Sequence, residues 1–176
     1  VLKNIDFVCQ KGQKIAVIGS TGSGKSTLVK LMNRFYDVSR GSIEINGVDI
    51  RKYNLESLRA QIGYVAQKAH MFKGSIQSNI CFGKPEASVE EMVHAATVAQ
   101  ASDFISTREH GYEDEIAEDG TNISGGQKQR LSIARVILKK PSLYIYDDSF
   151  SALDFKTDAT LRKALKPEVK NAIFFV

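Results

Sequence analysis

Apolar positions follow two rhythms along this chain. Lys14-Ile15-Ala16-Val17-Ile18 is apolar, β-branched and closed by Gly19, which is the composition of a buried strand. From Lys25 to Phe35 the rhythm changes: Leu28, Leu31, Met32 and Phe35 recur at three- and four-residue steps, predicting an amphipathic helix packed on that strand. A Gly-rich turn joins them, so the segment reads as half of a βαβ unit. Ile43-Glu44-Ile45 alternates and runs into Asn46-Gly47, which predicts a hairpin. Ile62-Gly63-Tyr64-Val65 is a further short strand.

Between about 74 and 140 strand-like runs nearly vanish, and helical spacing occupies 88–101 and 124–138. Leu143-Tyr144-Ile145-Tyr146 then returns to an apolar strand ending in acids. A helical stretch at 154–165 and a last strand at 172–176 follow. The expected fold class is α/β: a mostly parallel sheet with a small antiparallel β piece, built from residues 1–73 and 141–176 and interrupted by a helical subdomain at 74–140. The chain opens at Val1 without a signal-peptide pattern and closes on an apolar run, so a fragment of a longer chain is expected.

Composition narrows the classes. With 176 residues, 43% hydrophobic and 25% charged, the chain can bury its own core, which excludes disordered and collagen-like chains. Lys and Arg exceed the acids by 24 to 20, but they are scattered rather than gathered in a stripe, so nucleic acid is not an expected partner. Cys9 and Cys81 lack a CxxC spacing and read as free thiols of a reducing compartment; His70, His94 and His110 lack metal spacing. No apolar run approaches the ~20 residues of a membrane helix.

The chemistry is concentrated in two places. Gly19-Ser20-Thr21-Gly22-Ser23-Gly24-Lys25-Ser26 matches GxxxxGK[ST] between a predicted strand and a helix N-terminus, followed by Thr27. Glycines let the backbone turn its N–H groups onto a phosphate, the helix dipole adds roughly half a positive charge, and Lys25 adds a full one. Ser26 offers a hydroxyl to Mg²⁺, so a nucleoside triphosphate with Mg²⁺ is the expected ligand and the fold becomes a P-loop NTPase core. The second place is Asp147-Asp148, at the C-terminal end of a predicted parallel strand, where ligands of such sheets gather. Asp147 is the expected Mg²⁺ partner, and Asp148 stands where a base or water-orienting group would act on the γ-phosphate.

The order of these motifs, with Gln67 after the strand at 62–65, Ser124-Gly125-Gly126-Gln127 and Ser151-Ala152-Leu153-Asp154, resembles the nucleotide-binding domain of ATP-binding cassette transporters over essentially the whole chain. Phe35-Tyr36-Asp37, Leu58-Arg59 and Phe72-Lys73-Gly74-Ser75-Ile76-Gln77-Ser78-Asn79-Ile80 resemble the exporter branch. The resemblance implies ATP and Mg²⁺ as cofactors, with Ser26, Gln67 and Asp147 in the metal shell and Lys25, Gln67 and Asp148 catalytic. It implies a second nucleotide-binding domain paired head to tail, whose γ-phosphate meets Ser124, Gly125, Gly126 and Gln127 in trans, with Asp154 linking the two sites. Transmembrane domains of the same transporter are the other implied partner, placing the domain at the cytoplasmic face of a membrane. Glu118-Asp119-Gly120 resembles a segment that touches those domains. Met71 and Phe72 are candidates for a socket receiving a membrane-domain helix, or two ordinary buried loop residues. Read without the family, Ser124-Gly125-Gly126 is a helix cap with a flexible lead.

Two departures matter. The family usually carries Glu where this chain has Asp148, and a small residue where it has Phe150. One alternative is therefore a regulatory half of a heterodimeric exporter that binds ATP and hydrolyses it slowly; a remoter one is a soluble chromosome-maintenance or repair ATPase. The family's adenine-stacking aromatic would precede Val1 and its switch histidine would follow Val176.

Overall fold

The computed structural model describes residues 2–176. In chain order the elements are β1 (Lys14–Ile15), α1 (Lys25–Met32), β2 (Glu44–Ile45), β3 (Val48–Asp49), α2 (Leu55–Ala60), β4 (Ile62–Val65), β5 (Gly74–Ser75), α3 (Ile76–Ile80), α4 (Val89–Val98), α5 (Ser102–Ser106), β6 (Glu115–Ile116), α6 (Gly125–Lys139), β7 (Leu143–Tyr146), α7 (Phe155–Glu168) and β8 (Ile173–Phe175). The central sheet is parallel, in the order β1-β8-β7-β4. Strands β4 and β7 pair along their whole length, Ile62 to Leu143 through Val65 to Tyr146, across the 77 residues between them in sequence.

Alternation along the strands divides the core between the two faces of the sheet. Tyr144, Tyr146 and Phe174 point to one face, where they meet Leu131, Ile133 and Ile137 of α6 and Leu161 and Leu165 of α7. Their neighbours Ile145 and Phe175 point to the other, against Val29 and Met32 of α1 and Leu58 of α2. Helix α6 packs on α3, α4 and β4, so the helical segment rests on the strand that pairs with β7, the strand leading to the acidic pair.

Several elements differ from their expected form. The strand expected to be buried at 14–18 is confined to Lys14–Ile15, with only Val17 extending the pairing to Val176, and Ile18 is 94% exposed. β1 is an edge strand packed mainly on β8, whereas β4, at the other edge, is covered by α2 and α6. Helix α1 stops at Met32 rather than Phe35, because the Asn33 side chain takes the Val29 carbonyl (2.9 Å) and Arg34 turns left-handed. The helical run 88–101 breaks at left-handed Gln100, giving α4 and then α5. Helix α7 outruns 154–165 and keeps Pro167 in its last turn. Strands β5 and β6, two residues each, form an antiparallel pair within the helical segment. The hairpin at Asn46-Gly47 forms as expected, both residues at positive φ.

Candidate functional site

Helix α1 begins without a side-chain cap. Its N-cap is Gly24 at φ 100°, and its first turn holds no acidic residue. By contrast α2, α4, α6 and α7 are capped by Asn54, Ser88, Ser124 and Asp154. The first N–H groups of α1 are therefore free for an external anion, which the helix dipole favours. Gly19 opens the loop because a Cβ there would lie 2.6 Å from Ser23 Oγ. Lys25 Nζ donates to the carbonyls of Gly19 and Ser20, the latter at 3.0 Å, which holds its charge over the loop. An apolar cleft of about 160 Å³ adjoins the loop, lined by Leu2, Ile5, Val17, Ile18 and Leu28 beside Ser23, Gly24 and Lys25. A larger cleft of about 250 Å³, between β1, β8 and α7, contains no loop residue, so size does not mark this site.

Asp147 follows β7 and is held by its neighbours. Its N–H donates to the Val65 carbonyl (2.9 Å), continuing the ladder with β4. Ser26 Oγ donates to Asp147 Oδ1 and Tyr64 Oη to Asp147 Oδ2, each at 3.3 Å. Burial first, and then the Asp147 charge and hydrogen bond, push the Tyr64 phenol up to about 12, so it remains a proton donor at neutral pH. Asp148 turns left-handed at φ 49°, a conformation Asp tolerates better than most residues. Its Oδ2 accepts from Gln67 Nε2 at 2.9 Å.

The Ser26–Asp147 donor set suits Mg²⁺. That ion takes one or two carboxylates and completes its octahedron with phosphate oxygens and water. Among the described residues no group of three or more His, Cys, Asp or Glu side chains could hold a metal by itself, so an ion here would depend on a bound phosphate. Gln67 stands beside the Ser26–Asp147 pair, its Nε2 donating to Asp148 Oδ2.

Ser124 caps α6 through a capping box: Ser124 Oγ accepts from Gln127 N–H (3.2 Å) and Gln127 Oε1 accepts from Ser124 N–H (3.0 Å). Gly126 abuts the loop after β7, where a Cβ would stand 3.3 Å from the Ala152 carbonyl. Asp154 caps α7 by accepting from Thr157 N–H (3.0 Å) and Oγ1 (2.6 Å), and those bonds hold its carboxyl below the usual range. Among the described residues, Ser124 and Gln127 make no hydrogen bond to the phosphate loop of the same chain.

The two socket candidates part company. Met71 is buried at 3% exposure, whereas Phe72 is 47% exposed and stacks on Phe82 at 4.3 Å. Asn79 clips Phe72 through its N–H (2.9 Å) and carbonyl (2.8 Å), and the Arg135 guanidinium lies 5.4 and 5.6 Å from the two rings. Burial pushes Arg135 down to about 10, still protonated at neutral pH. Phe82, Asn79, Arg135 and Tyr64 are contributions that spacing does not reveal, because each acts through a contact distant in sequence.

A family model described as ABC transporter matches residues 2–151. The chain belongs to the ABC transporter family. It is an ATP-binding domain of the kind found in ABC exporters, and such domains are ATPases that generally use Mg²⁺. It is 44% identical over 176 residues, 100% of its length, to the multidrug export ATP-binding/permease protein YgaD of Bacillus subtilis, and spans 30% of that protein. It is 45% identical over 171 residues to heavy metal tolerance factor 1 of Caenorhabditis elegans, covering 97% of this chain and 21% of the relative. A solved structure of a bacterial Atm1-family ABC exporter with ATP bound superposes with a TM-score of 0.90 at 38% identity, over 93% of this chain and 29% of that one. The chain thus spans less than a third of the length of these relatives. The match to ABC exporters agrees with the α/β reading and does not favour the chromosome-maintenance alternative. Among the described residues no helix is long and apolar enough to cross a membrane.

Proposed function

We propose that this domain binds ATP with Mg²⁺ at residues 19–27 and Asp147, hydrolyses it, and passes the resulting movement to transmembrane domains of an exporter at the cytoplasmic face of a membrane. The observation that carries the reading is the meeting of Ser26 and Asp147, 121 residues apart in sequence, beside a helix N-terminus left open to an anion. Mg²⁺, which Ser26 and Asp147 would hold, would supply positive charge to offset the negative charge of the phosphates. The backbone N–H groups of the loop and Lys25 neutralise the phosphates, and Ser26 and Asp147 orient the ion. Asp148 aims the attacking water, with Gln67 holding its carboxylate in place.

One domain does not complete the site. Ser124, Gly125, Gly126 and Gln127 close on the γ-phosphate held by a second nucleotide-binding domain paired head to tail, with Asp154 at the contact. The capping box supports this: it fixes the turn by pairing Ser124 with Gln127, and its two bonds use neither the Gly125 nor the Gly126 N–H. The helices at 74–140 and the exposed Phe72–Phe82 pair present a face for a membrane-domain helix. Glu118, Asp119 and Gly120 extend that contact.

Asp148 makes hydrolysis slow. Its carboxylate is one methylene shorter than Glu, and displacements of about 1 Å can cost a hundredfold where a water must be aimed. That shortening is the one observation favouring the second reading, a regulatory half with little turnover, which the comparisons do not favour. Calorimetric titration of ATP·Mg²⁺ into the full chain tests the proposal: binding is expected, and Lys25→Ala should abolish it. Undiminished binding by Lys25→Ala would remove the phosphate loop from the account.

A further inference from the structure

Asp147 is gripped at both carboxylate oxygens, and only one of the two grips comes from the phosphate loop. Ser26 Oγ reaches Oδ1 and Tyr64 Oη reaches Oδ2, each at 3.3 Å. Tyr64 lies on β4, whose residues pair one for one with β7 and bring Tyr64 opposite Ile145, two residues before Asp147. Its ring is fixed from the far side by Phe35, edge-on with centroids 5.8 Å apart and planes at 73°. Phe35 in turn lies under the Arg59 guanidinium at 5.5 Å. The phenol is half-buried, so its ring cannot swing away without exposing apolar surface.

We infer that Tyr64 is a positioning residue for the metal-binding carboxylate: its hydroxyl holds Asp147 Oδ2 so that Oδ1 is turned toward Ser26 and the ion they share. The inference rests on the proposed Mg²⁺ role of Asp147. A free carboxylate rotates about its terminal torsion, a broad and soft one, and would offer either oxygen or both. Two hydroxyls, one per oxygen, select a single plane for it. Groups that orient a metal ligand from behind typically change metal affinity ten- to a hundredfold when removed. At 3.3 Å each contact is at the long end for O–H···O, so the low end of that range is the expectation.

The test uses Mn²⁺ in place of Mg²⁺, with its affinity for the ATP-loaded full chain read by electron paramagnetic resonance. Tyr64→Phe keeps the ring, its burial and its contact with Phe35 and removes only the hydroxyl. It should weaken Mn²⁺ about tenfold while leaving ATP affinity in chelator unchanged. In an Asp147→Asn background the same substitution should have no further effect, which a merely structural tyrosine would not reproduce. Unchanged Mn²⁺ affinity in Tyr64→Phe, with Asp147→Asn impaired, overturns this inference alone. Unchanged affinity in Asp147→Asn overturns the metal-site reading as well. A Tyr64→Phe chain that loses ATP affinity in chelator to the same degree shows a role in folding the loop and also overturns it.

Discussion

Gln67 Nε2 donates to Asp148 Oδ2 at 2.9 Å, joining the segment after β4 to the acidic residue that follows Asp147. The contact gives Asp148 a fixed direction, and its φ of 49° gives a reason for the residue type, since longer side chains enter the left-handed region at a cost of about 1 kcal/mol or more. Asp148→Glu is therefore expected to separate stability from turnover. ATPase rate should rise by about tenfold or more as the carboxylate regains reach, while the unfolding free energy falls by about 1 kcal/mol. A steady-state ATPase assay beside a denaturant titration reads both, and an unchanged rate would show that Asp148 does not limit turnover.

Among the described residues the Tyr146 hydroxyl has no hydrogen-bond partner, in a fully buried position with the Phe150 and Phe174 rings at 5.5 and 4.9 Å. Burial drives its phenol far above the usual tyrosine range. A buried unsatisfied polar group costs about 1–3 kcal/mol, so Tyr146→Phe should stabilise the domain by roughly 1 kcal/mol. The urea midpoint measures this; a drop would mean that the hydroxyl has a partner.

The Phe72–Phe82 pair should matter for transmission and not for binding. Phe82→Ala removes the stacking face and leaves the phosphate loop untouched. ATP affinity of the full chain should stay within about twofold, while transport-coupled ATPase falls by about tenfold, given that buried aromatic anchors commonly contribute more than 1 kcal/mol to an interface. Equal transport by the variant would remove this face as the coupling contact.

Acid stability has a local signature. The Arg51 guanidinium, bonded to Asp49 at 2.6 Å, holds that carboxyl at about 2, chiefly through the side-chain hydrogen bond. Unfolded Asp titrates near ~3.9, so between those values the unfolded chain binds more protons. The Asp49 contribution is thus complete above about pH 4 and is lost as pH falls toward 2. Denaturation curves of Asp49→Asn against the parent should differ at pH 6 and converge only as pH falls to about 2.

Legibility in the sequence followed the range of the interaction. Strands 62–65 and 143–146 were readable to the residue, because a four-residue apolar run covered by helices admits little else. The phosphate-loop sequence and the acidic end of β7 are marked by local pattern, a spacing in the one and a strand terminus in the other. Edge position is different: nothing in Lys14-Ile15-Ala16-Val17-Ile18 says that only one side will be paired. The breaks at Arg34 and Gln100 are left-handed turns at residues with no strong preference for them, set by side-chain contacts such as Asn33 with Val29. Tyr64 read as a strand residue, and its contact with Asp147 depends on the β4–β7 register across 83 residues.

Steady-state ATPase activity of the full chain, alone and with any candidate partner half, bears most directly on the account. Mg²⁺-dependent hydrolysis is expected, lost with Lys25→Ala in the phosphate loop and lost again with Ser124→Arg, which leaves that loop intact. Hydrolysis that survives Ser124→Arg would contradict the in-trans completion of the site, and absence of hydrolysis in both settings would contradict the ATPase itself.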